Sequence, residues 1–579
     1  MVSPLLHNGE PGVLLLSMVP GLPLVVAFML LGRVTRQSGL QLAPWAALPA
    51  LAAALLLQPG IDLEVAWFFM GGRMGIDEVG RSFLLLAAVV WGAAAWFGRG
   101  YLRADPRGHV FFFFYLITMA FNFGLILAQD MLGFYLFFGL MSISAYGLIV
   151  HNRSPEARQA GLVYLVLVMV GEVLIFSGMV VMAFRLPDLE LATIAASRSG
   201  SVSLSLLLVG FGIKAGILPL HVWLPLAHPV APVPASAVLS GVMIKAGLLG
   251  WLRFLPMGQE TGLPGWGGAL VLLGLLAAFY GVIIGLGQQE VKTILAYSSI
   301  SQMGVMTMLV GCGLLAPGHG SQVTWAVSIY ALHHGLAKAT LFLATGMGTA
   351  KGSRPAASGH LWLLLLPALS LAGLPFTSGA IAKFVMKEVV HALPAPWPGI
   401  LTFLLPLTAL ATTLIVCHFL KQMGAGLSHQ AAPSPAMRLS WLLLWVSSAL
   451  LPWIWPQQPA YASQATEAAL LWQGLWPVVA GGMIWMVSWR WWPAASHLTV
   501  PAGDLLWLVW PPHKELAMTG EAQEEKRLYP EKKAGGRARQ VLDLFPPQGR
   551  RLEKKLRRWS MVGAAYLLLC LFFLVMLLK

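Results

Sequence analysis

Apolar residues run through this chain in blocks of about twenty, separated by short stretches where arginine, lysine, proline and glycine collect. A block of that length, coiled as a helix, crosses the hydrocarbon core of a bilayer. The blocks predict helices near residues 12–31, 42–57, 80–98, 110–128, 131–150, 161–183, 204–225, 235–255, 266–286, 291–313, 322–348, 361–390, 400–420, 438–455, 470–490 and 560–578. The expected fold is an all-α polytopic membrane protein with about 14–16 transmembrane helices. Residues 61–79 are too polar to span and read as a small extramembrane hairpin turning at Gly71-Gly72.

Two blocks are interrupted by proline. The seventh, FGIKAGILPLHVWLPLAH from Phe211, has Lys214 just before Pro219. The twelfth, LPALSLAGLPFTSGAIAKF from Leu366, has Pro375 followed by Lys383. Proline frees backbone carbonyls, which membrane proteins tolerate only where protein or water satisfies them. Five spans separate the two breaks, which fits two repeats of five helices. An odd repeat length makes the copies inverted relative to each other.

Charge inside these blocks changes the picture. A lysine in lipid costs roughly 2.5–3.5 kcal/mol on insertion scales, so Lys214 and Lys245 are expected to face a protein interior or a water-filled cavity. The plainer alternative is that they snorkel to the membrane faces. His334 and Lys338 are four residues apart, share one helix face, and can exchange a proton directly or through one water. With Lys383 they make a chain of titratable groups, while His333 points elsewhere and receives no role. Glu172 lies deep in the sixth span and needs a nearby lysine as partner. His221 and His228 lie in the first interrupted stretch, and His221 joins the candidate path. Glu290 and Lys292, at a helix start, read as an interfacial pair.

The composition agrees with the pattern: 58% of residues are hydrophobic and 10% charged, against about 25% charged in a soluble domain. The formal charge of +14 would suggest nucleic acid in a soluble protein. Here the charge sits in loops, where it sets topology and meets anionic lipid, so no nucleic-acid partner is expected. Basic residues follow the odd-numbered spans: Arg33 and Arg36, then Arg99, Arg103 and Arg107, then Arg153 and Arg158, then Lys351 and Arg354, then Lys421. Those loops are expected inside and the N-terminus outside, with Arg253 a single exception. Cys312, Cys417 and Cys570 all lie in apolar blocks without a CxxC pair, so neither a metal site nor a cofactor is expected in this chain. No basic segment precedes the first apolar block, and no cleaved signal peptide is expected.

The ordered motifs KAGILPLHVWLPLAH, PVPASAVLSGVMIKAGL, VKTILAYSSISQMG, HHGLAKATLFLATG and LAGLPFTSGAIAKF give the chain its likeness. It resembles the antiporter-like proton-conducting subunits of respiratory complex I, Mrp-type cation/proton antiporters and membrane-bound group 4 hydrogenases, best over residues 110–390. The resemblance implies two inverted five-helix bundles with broken seventh and twelfth helices, and a central axis of lysines, histidines and carboxylates. It implies Lys214 as the broken-helix lysine, Lys245 as the connecting lysine, His334 and Lys338 as the central pair and Lys383 as the lysine of the second half. There are two departures. Gly139 stands where the family places a glutamate that pairs with the lysine equated to Lys214, and Leu226 stands where it places an acid after Leu-Pro. Either Glu172 replaces the glutamate, the favoured reading, or the first half-channel is degenerate.

The organisation implied is 1–109, N-terminal helices and hairpin; 110–255 and 256–425, first and second half-channels; 426–490, C-terminal helices; 491–559, a cytoplasmic lateral arm; and 560–579, a terminal anchor. The function expected is that of a proton-translocating subunit of a larger energy-coupled complex in a bacterial-type inner membrane. No catalytic redox site is expected in this chain. Its partners would be other membrane and cytoplasmic subunits, lipid and protons, with Na+ as a second candidate ion. The alternatives are the proton-conducting subunit of an inorganic-carbon uptake complex, an Mrp-like cation/proton antiporter, or a partly degenerate scaffold.

Overall fold

The computed structural model describes residues 10–65, 72–197, 200–259, 262–347, 360–426, 433–455, 467–488 and 503–505. The expected anchor at 560–578, most of the arm at 491–559 and the basic pair Lys351 and Arg354 lie outside the described residues. The chain enters through α1 (Glu10–Met29) and a second span assembled from α2 (Arg36–Leu42), a 3-10 turn (Ala43–Ala47) and α3 (Leu48–Leu56). A short antiparallel pair follows, β1 (Asp62–Val65) and β2 (Gly72–Gly75), with Val65 opposite Gly72. The expected pair of strands therefore forms with Gly72 as a strand residue, and the expected turn residue Gly71 lies outside the described residues.

Four long helices come next: α4 (Glu78–Tyr101), α5 (Gly108–Leu127), α6 (Met131–Ile149) and α7 (Pro155–Ala183). Their starts are written locally. Asp77 caps α4 by accepting from Gly80 N, Asp130 caps α6 by accepting from Gly133 N, and Ser154 caps α7 ahead of a first-position proline. A short helix, α8 (Leu191–Ala196), leads to the first interrupted span, α9 (Ser201–Ala215) and α10 (Trp223–Val230). Then come α11 (Val233–Val238), a π-helical turn (Leu239–Met243) and α12 (Lys245–Phe254). The straight spans α13 (Pro264–Leu286), α14 (Val291–Leu315) and α15 (Gly320–Ala344) precede the second interrupted span. That span is α16 (His360–Leu363), α17 (Leu365–Ala372) and α18 (Ser378–His391). The helices α19 (Trp397–Gly426), α20 (Pro435–Ile454) and α21 (Ala468–Ser488) complete the described bundle. Among the described residues, eleven helices are long and apolar enough to cross a membrane. The protein is a multi-pass membrane protein.

Burial separates core from periphery. The most apolar eighteen-residue stretches of Val233–Phe254 and Val291–Leu315 are wholly buried, whereas only 39% of that in Pro155–Ala183 is. On α7 the exposed positions Leu162, Val166, Val170 and Val173 form one helical stripe, and the buried positions Tyr164, Val168, Glu172 and Ile175 form the opposite one. The apolar stripe faces outward and the single carboxylate inward, the reverse of a soluble helix.

Both interrupted spans end their first half in the same way. After α9, Gly216 takes φ +69° while Gly216 N donates to Ile213 O and Ile217 N to Gly212 O. After α17, Gly373 takes φ +87° while Gly373 N donates to Ser370 O and Leu374 N to Leu369 O. These are two Schellman motifs, each with glycine at the left-handed position. Pro219 and Pro375 follow within the gaps, where no helical N–H is required of them.

The tightest helix pair is α13 on α14. A Cβ added at Gly274 would lie 2.5 Å from Gly304 O and Met308 N, and one at Gly267 2.9 Å from Gly311 O. Gly281 lies equally close to Tyr297 O. Glycines seven apart on α13 thus let the two backbones touch, the small-residue packing that replaces hydrophobic collapse inside a membrane. Gly274→Leu is expected to lower the unfolding temperature in detergent by the equivalent of about 1–3 kcal/mol or more. Gly265→Leu on the same helix, where a Cβ meets nothing within 4 Å, should change stability by less than about 0.5 kcal/mol.

Candidate functional site

Lys214 lies in the last turn of α9, immediately before the first break, and is 3% exposed. Its Nζ donates to Ser142 Oγ of α6 and to Tyr164 OH of α7, both at 3.1 Å, and lies over the Tyr164 ring at 5.4 Å. Tyr164 OH donates in turn to Ser142 O at 2.8 Å. The lysine is therefore held by hydroxyls and a ring rather than directly by a carboxylate. Glu172, two turns further along the inward stripe of α7, is close enough that its charge and that of Lys214 act on each other. Neither Glu172 carboxylate oxygen has a hydrogen-bond partner among the described residues. A Cβ added at Gly139 would meet Glu172 Oε2 at 3.3 Å. The Glu172 carboxylate thus fills the space into which a side chain at 139 would grow.

One histidine stands in the first break and a second lies on α10 beyond it. His221, fully buried, has Nε2 at 3.3 Å from both carboxylate oxygens of Asp504. His228 stacks on Phe342 with ring centroids 4.6 Å apart, and neither of its ring nitrogens finds a partner among the described residues. Lys292 Nζ donates to Ala231 O at 2.7 Å and to Pro229 O at 3.4 Å, carbonyls at the end of the interrupted span. Glu290 instead caps α14, its carboxylate accepting from Thr293 N and Oγ1. The expected interfacial pair is thus two separate devices with separate partners.

At the centre, Lys245 Nζ donates to Ser240 O within the π-helical turn. Ser240 Oγ and Ser299 Oγ of α14 are 2.8 Å apart, and Ser299 Oγ donates to Leu295 O at 3.0 Å. Lys338 Nζ of α15 donates to the same Leu295 O at 2.9 Å. Two buried lysines from different spans are therefore linked through two serine hydroxyls and two carbonyls, Ser240 O and Leu295 O. The π turn reaches α15 because Gly241 and Gly335 lie backbone to backbone: a Cβ at Gly335 would be 2.5 Å from Gly241 O. His334, next to Gly335, is fully buried, and neither ring nitrogen has a partner among the described residues. It shares the helix face of Lys338 without bonding to it.

The second break belongs to His333 and Lys383. His333 Nδ1 meets Ser378 Oγ, the first residue of α18, at 2.9 Å. Ser378 Oγ lies 3.0 Å from Ser370 Oγ of α17, so a serine pair staples the two halves of the broken span. Lys383 Nζ donates to Ala372 O, a carbonyl at the end of α17. Gly373 makes this possible, since a Cβ there would lie 2.5 Å from Lys383 Cδ. Lys383 faces a cavity of about 50 Å³, large enough for water, lined by Ala372, Gly373, Pro375, Lys387 and Gln473.

The residues singled out from sequence thus fall into one core, with Lys245 and Lys338 joined and Lys214 and Lys383 set at the two breaks. Sequence reasoning missed the partners that hold or join them: Ser240, Ser299, Ser142, Tyr164 and Asp504. It also set His333 aside, although His333 contacts the second break and His334 contacts no polar partner. The signal for His333 was available in Ser378, a hydroxyl at a helix start just past a break. Nothing local marks Asp504, 283 positions from His221.

The close fit of Glu172 to Gly139 has a direct consequence. Gly139→Glu alone would drive a second side chain and a second negative charge into one site, and should cost about 1–3 kcal/mol of stability. Combining it with Glu172→Ala should recover most of that loss in detergent melting.

Residues 128–405 match the family model described as NADH:quinone oxidoreductase/Mrp antiporter, TM. An uncharacterized protein of Mycobacterium tuberculosis is 31% identical over 58% of this chain and 56% of its own length. The hydrogenase-4 component B of Escherichia coli is 34% identical over 40% of this chain and 36% of its own length. The matched region thus spans about a third to a little over half of these curated relatives. Among solved structures, a chain of the Mrp complex from Dietzia sp. DQ12-45-1b shares the fold with a TM-score of 0.69 at 21% identity, over 98% of this chain and 63% of that one. Family match, relatives and fold agree with the motif reading: the chain is similar to the antiporter-like membrane subunits of NADH:quinone oxidoreductases and Mrp antiporters.

Proposed function

We propose that this chain translocates protons as one membrane subunit of a larger energy-coupled complex, the energy coming from partner subunits. The observation that carries the reading is the join between Lys245 and Lys338 through Ser240, Ser299 and Leu295 O in the wholly buried centre. A hydroxyl both donates and accepts, so the serine pair can pass a proton by rotating. A carbonyl only accepts, so Ser240 O and Leu295 O position the ammonium groups while the proton itself passes through hydroxyls or water beside them. Lys214 and Lys383, at the breaks, serve as the groups through which protons enter and leave the central pair. Glu172 tunes Lys214 by its charge, in place of the glutamate absent at Gly139.

The same reading places the chain in a bacterial-type inner membrane with the N-terminus outside, because the basic loops after the odd-numbered spans mark one face. Arg253, the exception, supports that assignment: it is bound to Asp77 at the start of α4, Arg253 Nη2 lying 2.8 Å from Asp77 Oδ1, and acts as half of an ion pair rather than as a free topological charge. The partners are other membrane and cytoplasmic subunits, with Na+ as the alternative ion. A scaffold role is less well supported, since the first half keeps a buried lysine and carboxylate despite Gly139.

In sealed vesicles holding the assembled complex, Lys338→Ala should reduce coupled proton uptake by about a hundredfold, the lower range for losing a positioned proton donor. Lys383→Ala should do the same. Unchanged uptake in both variants, at equal complex content, would overturn the proton reading. A response to Na+ rather than pH in the unsubstituted complex would transfer it to sodium.

A further inference from the structure

The described segment Gly503–Leu505 packs back onto the first broken span. Gly503 is buried, and a Cβ there would lie 3.0 Å from Leu226 of α10. Beside it the Asp504 side chain is 4% exposed. Tyr280 OH of α13 donates to Asp504 Oδ2 at 2.5 Å, Leu505 N donates to Oδ1 at 2.6 Å, and His221 Nε2 is 3.3 Å from both oxygens. The Tyr280 ring meets His221 edge-on at 5.3 Å. Tyr297, fully buried on α14, lies within electrostatic reach of Asp504.

A buried carboxylate is strongly unfavourable unless hydrogen-bonded and paired with a cation. A segment with no role beyond packing would place an apolar residue here, against Leu226 and the α13–α14 pair. This one carries an aspartate to the one buried histidine that stands in the opening between α9 and α10. The other ring nitrogen of His221, Nδ1, has no partner among the described residues and remains available to a proton.

We propose that Asp504 is a positioning residue of the first half of the path. It holds the His221 ring in the opening of the first break and sets a carboxylate against its Nε2. The inference rests on the proton reading above, since it gives His221 a proton to carry. When His221 takes a proton at Nδ1, Nε2–H already donates to Asp504, and the imidazolium is paired. When Nδ1 gives the proton onward, the neutral ring stays oriented by the same Nε2–H bond.

The test uses the assembled complex in vesicles, with Lys338→Ala as reference. Asp504→Asn keeps size and hydrogen-bonding atoms but removes the charge; it should leave assembly on native gels intact and lower proton uptake roughly tenfold. Asp504→Glu should retain most of the uptake. Adding Leu226→Asp to Asp504→Asn, which puts a carboxylate on the surface that Gly503 covers, should restore part of it. Full uptake in Asp504→Asn, where Lys338→Ala abolishes it, would overturn the role of Asp504 and leave the proton reading standing. Equal loss in Asp504→Asn and Asp504→Glu, or loss of assembly with normal uptake per assembled complex, would reduce Asp504 to an anchor and overturn the proposal. Loss of neither activity, in Lys338→Ala and Asp504→Asn alike, would fall on the proton reading itself.

Discussion

Buried lysine bonded to backbone carbonyl is the interaction on which the interior depends. Lys245 donates to Ser240 O, Lys338 to Leu295 O, Lys383 to Ala372 O and Lys292 to Ala231 O. Two requirements meet here. Carbonyls at interruptions of a membrane helix need a donor, and a lysine inside the bundle needs an acceptor. The Lys338 bond answers only the second, because Leu295 O lies inside unbroken α14; the other three bonds answer both. An ion pair with a carboxylate would satisfy the lysine more strongly, but it would also fix its charge, because losing the proton would leave an uncompensated anion. A carbonyl makes no such demand. It accepts from an ammonium or from a neutral amine, so the cost of changing protonation state is smaller. The interior is built so that lysine is structurally useful in either state.

The acids are correspondingly few and indirectly placed. Lys214 is held by Ser142 and Tyr164, while Glu172 acts on it through space from the same helix as Tyr164. The site that a side chain at Gly139 would claim is taken by the Glu172 carboxylate. The motif reading noted a missing acid at Gly139 and another at Leu226. At Gly139 the structure sets the Glu172 carboxylate against the position; at Leu226 it sets Gly503, whose neighbour Asp504 turns its carboxylate to His221 and Tyr280. A glycine admits the oxygen atoms of a neighbour, and a leucine offers the apolar surface on which Gly503 packs.

Much of the fold was legible because the membrane permits so few solutions. Backbone groups in lipid must pair within their own helix, so apolar length alone located the spans, including both that break. The breaks themselves were marked by glycine with proline two or three residues on, AGLP and AGILP, since the Schellman motif needs the one and the gap accepts the other. What joins the candidate residues was not legible. Ser240 meets Ser299 only because a π turn lets α12 and α14 approach, and that turn leaves no composition of its own in a run of small and apolar residues. His333 and His334 are adjacent and identical in type, so only packing decides which reaches α18. Arg253 looked like a topological anomaly until its partner Asp77, far earlier in the chain, was in place.

The two breaks share one backbone motif but use it differently. In the first, the lysine precedes the glycine, and the side chain crowding Gly216 is Leu224. In the second, the lysine follows, and the side chain crowding Gly373 is Lys383 itself, which reaches back to the carbonyl of Ala372. The Schellman motif is therefore the constant and the charge the variable. A left-handed glycine opens a groove across the helix end, and whichever side chain returns along the other half can lie in it. Where that side chain is leucine, the end is sealed and the polar groups must come from outside the span, as His221 does from the gap and Asp504 from another segment. Where it is lysine, the end becomes polar by itself and faces a cavity that can hold water. The two broken spans need not match in sequence to share a backbone device, because that device leaves the choice of side chain free.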